Sequence, residues 1–299
     1  MRYFERAVVV AVACGLLAAC QTPAVTEQPT TVQTTTTHER LVELPPAKRQ
    51  PTAAVYAFPD KTGKRKPTEK YASYSRAVTQ GAASILIKAL NDAGGGDWFD
   101  VLPRGNLQDV LRERKIIRKV RARSNEETAP RLPKLSFAGV IFEGGVIGFD
   151  SNTMTGGIGA RFLGIGANTE YRKDTVTVYL HATSSSTGEL LHSVQARKTI
   201  FSYALQASVF KFVSYKELLE AEAGITNNEP NMVALRQAIE EALYAMIVEG
   251  SQKGLWQFQS EAARERTVER YRARKERERR RVEQILAKPE QSDAAAPDI

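Results

Sequence analysis

Beyond its first twenty residues, this chain has no run approaching the ~18 consecutive apolar residues that a membrane-spanning helix requires. Those first twenty residues nevertheless carry an export signal. Arg2 and Arg6 form a basic start, and Ala7 to Leu17 is an apolar stretch too short to span a bilayer. Two small residues, Ala18 and Ala19, then precede Cys20. Together these features constrain the fold sharply. An exported chain without a second apolar run can cross a membrane only with strands, closed so that no backbone polar group is left unpaired in hydrocarbon.

Leu17-Ala18-Ala19-Cys20 has the form of a lipoprotein lipobox, which predicts that residues 1–19 are removed and Cys20 is acylated as the new N-terminus. The other reading is an ordinary cleaved signal in which Cys20 is incidental. Gln21 stands where an aspartate would favour the inner membrane, so the expected location is the outer membrane, with the main domain in the periplasm. Cys14 is the only other cysteine and lies in the segment to be removed. The mature chain is then left without a disulfide, a thiolate metal site or a thiol nucleophile.

Texture divides the remainder. Residues 20–50 are rich in Thr, Pro and Gln and read as a lipidated flexible tether. From Ala53 onward the pattern is globular. Strands are expected at Ala53–Phe58, Trp98–Leu102 and Ala138–Phe149. Helices are expected at Ser75–Asn91, stopped by Gly94-Gly95-Gly96, and at Leu107–Lys119. Thr175–Thr183 alternates strictly, turns at Ser186-Thr187-Gly188 and returns through Glu189–Thr199 as a hairpin. This alternation of elements implies an α/β or α+β layered domain.

Two flanking stretches stand apart. Residues 153–173 are glycine-rich and end in alternating polar and aromatic residues. Residues 203–227 open with apolar positions at Tyr203, Leu205, Ala207 and Val209, then change phase at Phe210 and Phe212, as a bulge or bend would cause. Each is long enough for two membrane strands of ~9–11 residues. On pattern alone, an exposed hairpin or lid on a soluble domain fits them equally well.

Several segments together resemble the curli secretion channel (CsgG) family: Gln108–Lys119, Glu143–Tyr171, Ser186–Tyr203, Asn227-Asn228-Glu229-Pro230 and Gly254-Leu255-Trp256. The likeness runs in order over residues 51–258. It implies an α/β periplasmic domain with two transmembrane β-hairpins per subunit, about 153–173 and 203–227, which form a shared oligomeric outer-membrane β-barrel, nine-fold in the family's known form. The implied function is a non-energised channel for unfolded curli-type amyloid subunits, aided by periplasmic and surface accessory factors. Lipid-facing positions are then expected at Ile158, Phe162, Leu163 and Ile165, and at Leu205, Val209, Phe210 and Phe212. Arg161, Asn168, Gln206 and Ser208 would face the lumen or a turn. The family's pore loop matches Asp60–Tyr74, which places the constriction at Tyr71, Ser73 and Tyr74. Thr68 is the alternative to Tyr71, and Ser73 stands where the family usually has asparagine. Without the resemblance, Tyr71 and Tyr74 read as packing at the start of a helix. The alternative function is a lipid-anchored periplasmic scaffold or binding protein that forms no pore.

No phosphate-binding G-x-x-x-x-G-K-[ST] run occurs, and the glycines of residues 156–166 precede no helix pattern. His38, His181 and His192 are scattered. No catalytic residue, metal site or cofactor is expected, and an enzyme is not the reading. Residues 259–299 form the last part, a basic helical tail. From Glu261 to Lys288 it carries eleven Lys or Arg against six Glu, a net of +5 out of +8 for the chain. Its composition predicts a long exposed helix laced with i,i+4 ion pairs. The tail is read as lying outside the family pattern. Its candidate partners are the anionic membrane surface, peptidoglycan-associated proteins or a neighbouring subunit, with a solvated helix as the plain alternative. Nucleic acid is not expected.

Overall fold

The computed structural model of the chain describes residues 31, 34–62, 81–123, 131–155, 170–206, 209–213 and 230–286, with the side chains of 153–172, 202–231 and 285–286 outside the description. The elements lie in one compact unit, from Thr35 onward.

Its centre is a six-stranded sheet. β1 (Thr52–Val55) lies parallel to β2 (Asp100–Pro103) on one side and to β3 (Val140–Thr155) on the other. Helices α2 (Ala82–Asp92) and α3 (Leu107–Arg123) connect these strands, as parallel pairing requires. β3, β4 (Glu170–Ser184), β5 (Leu190–Gln206) and β6 (Val209–Val213) then follow as an antiparallel meander, giving the order β2-β1-β3-β4-β5-β6. Short apolar runs such as Ala53-Ala54-Val55 are buried, as expected where strands are covered. α2 ends at Asp92, and Gly94, Gly95 and Gly96 take φ of 61°, 68° and 97°, a left-handed run that suits glycine. Gly188 closes the β4–β5 hairpin with φ 74°, within the turn foreseen from the sequence.

The core lies between this sheet and α4 (Pro230–Gln252). Ala234, Leu235, Ile239, Leu243, Met246 and Ile247 of α4 are almost fully buried, as are Phe142, Val176, Val178 and Leu180 of the sheet. α4 is apolar around most of its circumference because the sheet covers one side and other helices cover the rest. Trp256 donates its indole N–H to the Ile247 carbonyl at 2.7 Å, and its ring packs over Gly250, where a β-carbon would come within 2.3 Å. Tryptophan at 256 thus requires glycine at 250.

Two boundaries differ from the sequence reading. The first is the tether. Residues 36–42 are not extended but form helix α1 (Thr36–Val42), capped by the Thr35 hydroxyl, which accepts from the His38 amide at 3.1 Å. Leu41 and Leu44 are buried, the Thr35 and Thr37 hydroxyls donate to Glu240 of α4, and Arg40 pairs with Glu241 at 2.8 Å. Beyond α1, Lys48 N–H donates to the Gln257 carbonyl at 2.8 Å, and Gln259 N–H to the Pro46 carbonyl at 2.9 Å. The polar composition of this stretch resembles a linker because its fold depends on partners about 200 residues away. The tether therefore cannot extend past Thr34 into residues 35–50.

The second boundary is the tail. α5 (Glu261–Leu286) is one helix, as expected, with ion pairs such as Arg280–Glu276 at 2.9 Å along its exposed side. Its first half is docked, however: Ala263, Thr267, Val268 and Tyr271 are buried. They recur at helical spacing, with only three apolar side chains among many charges, so the docking stripe is narrow and easily missed. α3, by contrast, buries none of its side chains among the described residues.

Candidate functional site

The residues expected to carry function divide by what the structure describes. Cys20, Tyr71, Ser73, Tyr74, Ile158, Phe162, Leu163 and Ile165 lie outside the described residues. Leu205, Val209, Phe210 and Phe212 lie on described strands, with their side chains outside the description.

The strands themselves are informative. Toward the far end of the core, Phe149 and Val176 form a buried rung, and Asp174 and Ile200, two positions farther out, form a second. Beyond that rung, β3 and β4 stay paired through Asn152–Lys173 as far as Thr155–Glu170. β5 follows β4 to Tyr203–Tyr171, and β6 pairs with β5 from Phe201–Val213 to Gln206–Val209. The strands thus run out of the domain as a ribbon in the order β3-β4-β5-β6. β1 pairs with β3 only from Val140 to Phe142, and the bridge from Asp60 reaches no farther than Val146. Among the described residues, the outer edge of β3 past Val146 and the outer edge of β6 have no strand beside them. At the root of the ribbon, Asp174 is fully buried and accepts a hydrogen bond from the Ser151 hydroxyl. A buried carboxylate so partnered fixes β3 against β4 where the apolar core ends.

The phase change read as a bulge or bend is a reversal of the chain. β5 ends at Gln206, β6 begins at Val209, and the register shifts between Ala204 and Gln206. The reversal divides the positions expected to face lipid: Leu205 stands before it, and Val209, Phe210 and Phe212 after it. Val209 and Phe210 are consecutive in β6 and therefore belong to opposite faces. Phe210 and Phe212 pair with Ala204 and Ser202, so those four positions share one face and Val209 lies on the other.

The loop expected to form a constriction starts from a rigid anchor that the sequence reading did not identify. After β1, the chain runs through Phe58 and Pro59 to lie beside β3. Val146 N–H donates to the Pro59 carbonyl at 3.0 Å, and Lys61 N–H to the Val146 carbonyl at 2.9 Å. Asp60 then accepts from both the amide and the hydroxyl of Thr62, at 2.9 and 2.7 Å. Lys61 Nζ donates to the Tyr179 hydroxyl at 2.6 Å and lies 4.9 Å from the centre of that ring. Gly144 and Gly145 leave room for this crossing. A β-carbon at 144 would stand 2.2 Å from the Phe58 ring, and one at 145 would stand 2.9 Å from the Pro59 carbonyl oxygen. The signal for this was the Gly-Gly pair inside a strand pattern, which marks close backbone approach. Residues 63–80 leave from this anchor and rejoin the described chain at Gly81, just before buried Ala82. From Val146 to Thr155 the strand rises about 30 Å, so the loop leaves near the root of the ribbon.

A third polar cluster joins α5 to the domain. Glu249 of α4 receives the Tyr271 hydroxyl at one oxygen and faces His192 Nε2 at 2.9 Å with the other, while Lys275 Nζ lies 2.8 Å away. Lys253 Nζ donates to His192 Nδ1 at 2.9 Å, so Nε2 carries the proton and donates to Glu249. Burial pushes the Glu249 carboxyl up, yet the hydrogen bonds from Lys275, Tyr271 and His192 outweigh it and hold the group below the usual glutamate range. Burial, together with the same contact, pushes the Tyr271 phenol far up, so it remains a donor. This cluster holds a helix in place. His38 similarly bridges Asp92 and Glu240, each at 3.5 Å. Among the described residues, no group of three or more His, Cys, Asp or Glu side chains could hold a metal, and no helix is long and apolar enough to cross a membrane.

The family model described as curli production assembly/transport component CsgG matches residues 34–277. The curli production assembly/transport component CsgG of Escherichia coli (strain K12) is 40% identical over 261 residues, covering 86% of this chain and 93% of that protein. Its counterpart in Salmonella typhimurium (strain LT2) gives the same figures. Protein XCC0632 from Xanthomonas campestris (12% identity, TM-score 0.33, covering 70% of this chain and 91% of that one) resembles the fold only slightly. The same holds for the PelC dodecamer from Paraburkholderia phytofirmans, at 14% identity, TM-score 0.25, and 66% and 86% coverage. Likenesses this slight carry no argument. The family match starts before α1 and continues into α5, so residues 34–50 and 259–277, parts of the two segments that the sequence reading set outside the pattern, fall within it. On this evidence the chain belongs to the family of the curli production assembly/transport component CsgG.

Proposed function

We propose that this protein is an outer-membrane lipoprotein whose copies close a shared β-barrel and secrete unfolded curli-type amyloid subunits without an energy source. The observation that carries this reading is the ribbon β3-β4-β5-β6 with its two open edges, found in a chain 40% identical to curli assembly and transport components. Four strands cannot close a barrel, and an open edge in hydrocarbon leaves N–H and C=O groups unpaired, each costing several kcal/mol. Pairing β3 of one copy with β6 of the next removes both edges at once. Repeated around a ring, that head-to-tail contact closes, nine-fold in the form the family implies.

In this reading Cys20 is acylated and anchors the chain to the outer membrane, and the domain beginning at Thr35 sits in the periplasm. Ile158, Phe162, Leu163 and Ile165, with Phe210 and Phe212, face lipid. Residues 63–80 fold from the Phe58–Lys61 anchor into the channel, where Tyr71, Ser73 and Tyr74 narrow it. A barrel of some tens of strands is far wider than a porin and would leak without such a waist. Contacts from tyrosine rings and short hydroxyls are weak and tolerant of sequence, which suits passage of an extended chain. Periplasmic and surface accessory factors would supply direction.

Single-particle imaging of the full-length lipoprotein, extracted from outer membranes in mild detergent, tests this. Rings with a central barrel and a waist are the expected outcome and give the copy number. Monomers or pore-free particles would reject the channel in favour of a tethered periplasmic scaffold.

A further inference from the structure

Helix α5 changes character at Arg274. Before it, Ala263, Thr267, Val268 and Tyr271 are buried, and Arg274 itself is held by Glu241 with its side chain only 12% exposed. After it the helix runs on to Leu286, about 18 Å farther, and no side chain from Lys275 to Gln284 is buried. This outer half is supported by pairs along its own length, such as Arg279 with Glu276 at 3.0 Å and with Glu283 at 3.9 Å. From Arg272 to Lys288 the chain carries eight Lys or Arg against three Glu. Its end is different again. Exposed Val282 is followed by Ile285 and Leu286, three and four residues on, so the three positions share one side of the helix. The family match ends at residue 277, and this basic arm with its apolar edge continues past it.

The base of the arm stands beside the point where the tether enters the domain. The Thr35 hydroxyl donates to Glu240, and the next residue of α4, Glu241, holds both Arg40 and Arg274. Thr35 follows Cys20 by fifteen residues, a length that reaches at most about 50 Å when fully extended. With Cys20 acylated, the base of the arm cannot stray from the membrane surface by much more than that.

We infer that the outer half of α5 is a second membrane anchor, which lies on anionic phospholipid of the leaflet that holds the acylated tether. The inference rests on the lipoprotein reading proposed above. A basic helix with an apolar edge is drawn to a surface that offers negative headgroups with an apolar phase beneath them. An acidic polymer or acidic protein segment offers the charge without that phase. The tether makes the encounter intramolecular, so weak contacts at each residue suffice.

The test uses the full mature chain with Cys20→Ser, which removes the acylated residue so that vesicle binding reports the rest of the protein. Flotation with vesicles of phosphatidylglycerol and phosphatidylethanolamine is compared with flotation on phosphatidylcholine alone, which measures any contribution of the strands that does not depend on charge. Binding about ten-fold or more tighter to the anionic vesicles is expected, and high salt should abolish the difference. The variant R277Q/R279Q/R280Q/R281Q should lose this preference, and V282S/I285S/L286S should weaken anionic binding several-fold. If the arginine variant melts early, the salt series on the Cys20→Ser chain alone carries the electrostatic test. Equal binding to the two kinds of vesicle overturns the inference, as does a folded arginine variant that keeps the preference. An apolar variant that binds as tightly as its parent also overturns it, and assigns the arm to an anionic polymer or an acidic protein. The mass of the mature N-terminal peptide from the unsubstituted protein tests acylation separately, so failure of the lipoprotein reading and failure of the arm are told apart.

Discussion

The Phe58 ring crosses the backbone of Gly144 so closely that a β-carbon on Gly144 would stand 2.2 Å from ring atom Cε2. This crossing ties the start of residues 63–80 to strand β3, because the next residues of the chain, Pro59 and Lys61, hydrogen-bond to Val146. Gly144→Ala should therefore cost about 1–3 kcal/mol through overpacking. Phe58→Ala should destabilise through a cavity, and the double variant should be more stable than the two separate losses predict. Chemical denaturation of all four proteins measures this coupling. Strict additivity would mean that the ring and the glycine do not meet.

The Tyr271–Glu249 hydrogen bond fastens α5 to α4, and its pH dependence has a definite sign. The folded Glu249 carboxyl sits below the usual glutamate range, so its stabilising contribution is fully present above pH ~4.5 and is lost as pH falls through the folded value. Hydrogen exchange of residues 261–275 should therefore rise below pH ~4.5, faster than exchange of the sheet. Glu249→Gln should remove most of that pH dependence, and Tyr271→Phe should loosen the helix at neutral pH by about 1–3 kcal/mol. An α5 exchange profile in Glu249→Gln identical to wild type would separate the helix from this carboxylate.

Leu41 is fully buried in a segment whose composition reads as linker. Leu41→Ala should destabilise the domain by about 2–5 kcal/mol, the usual cost of a large core deletion. A chain starting at residue 51 should melt well below one starting at residue 35. Equal melting temperatures would show that α1 contributes nothing to the fold.

Elements whose pattern is local were legible in the sequence. The β4–β5 hairpin shows strict alternation on both strands and a Ser-Thr-Gly turn, and Gly188 takes the left-handed φ that such a turn uses. α2 was stopped by the glycines after it. Elements defined by distant partners were not legible. α1 holds only seven residues and depends on Glu240 and Glu241, and the docked side of α5 consists of one aromatic ring and a few small residues among charges. The chain reversal before Val209 lacks the Gly or Asn that marks a tight turn, so a phase change alone could not distinguish it from a bend. The loop anchor was visible only as two glycines in a strand, with nothing in the sequence to say that Phe58 lies over them.

If Tyr74 forms part of the waist, Tyr74→Ala should enlarge the aperture and raise single-channel conductance in planar bilayers. Ser73→Asn should lower it, since the longer amide reaches farther into the lumen. Both variants leave the Phe58–Lys61 anchor intact, so ring assembly should not change. Conductance equal to wild type in Tyr74→Ala would remove this residue from the constriction.

The membrane strands are tested by a charge placed at mid-depth. Ile158→Asp puts a carboxylate on the proposed lipid face, where basic residues cost about 2–4 kcal/mol and acidic ones somewhat less. Every copy in a ring carries the substitution, so the penalty repeats around the barrel and should block insertion although a single site would be tolerated. Heat-stable oligomer recovered from outer membranes by carbonate extraction is the readout. Arg161→Asp, three residues along and so on the other face, the proposed lumen side, should assemble normally, which separates facing from a general intolerance of charge. An Ile158→Asp yield equal to wild type would place Ile158 away from lipid.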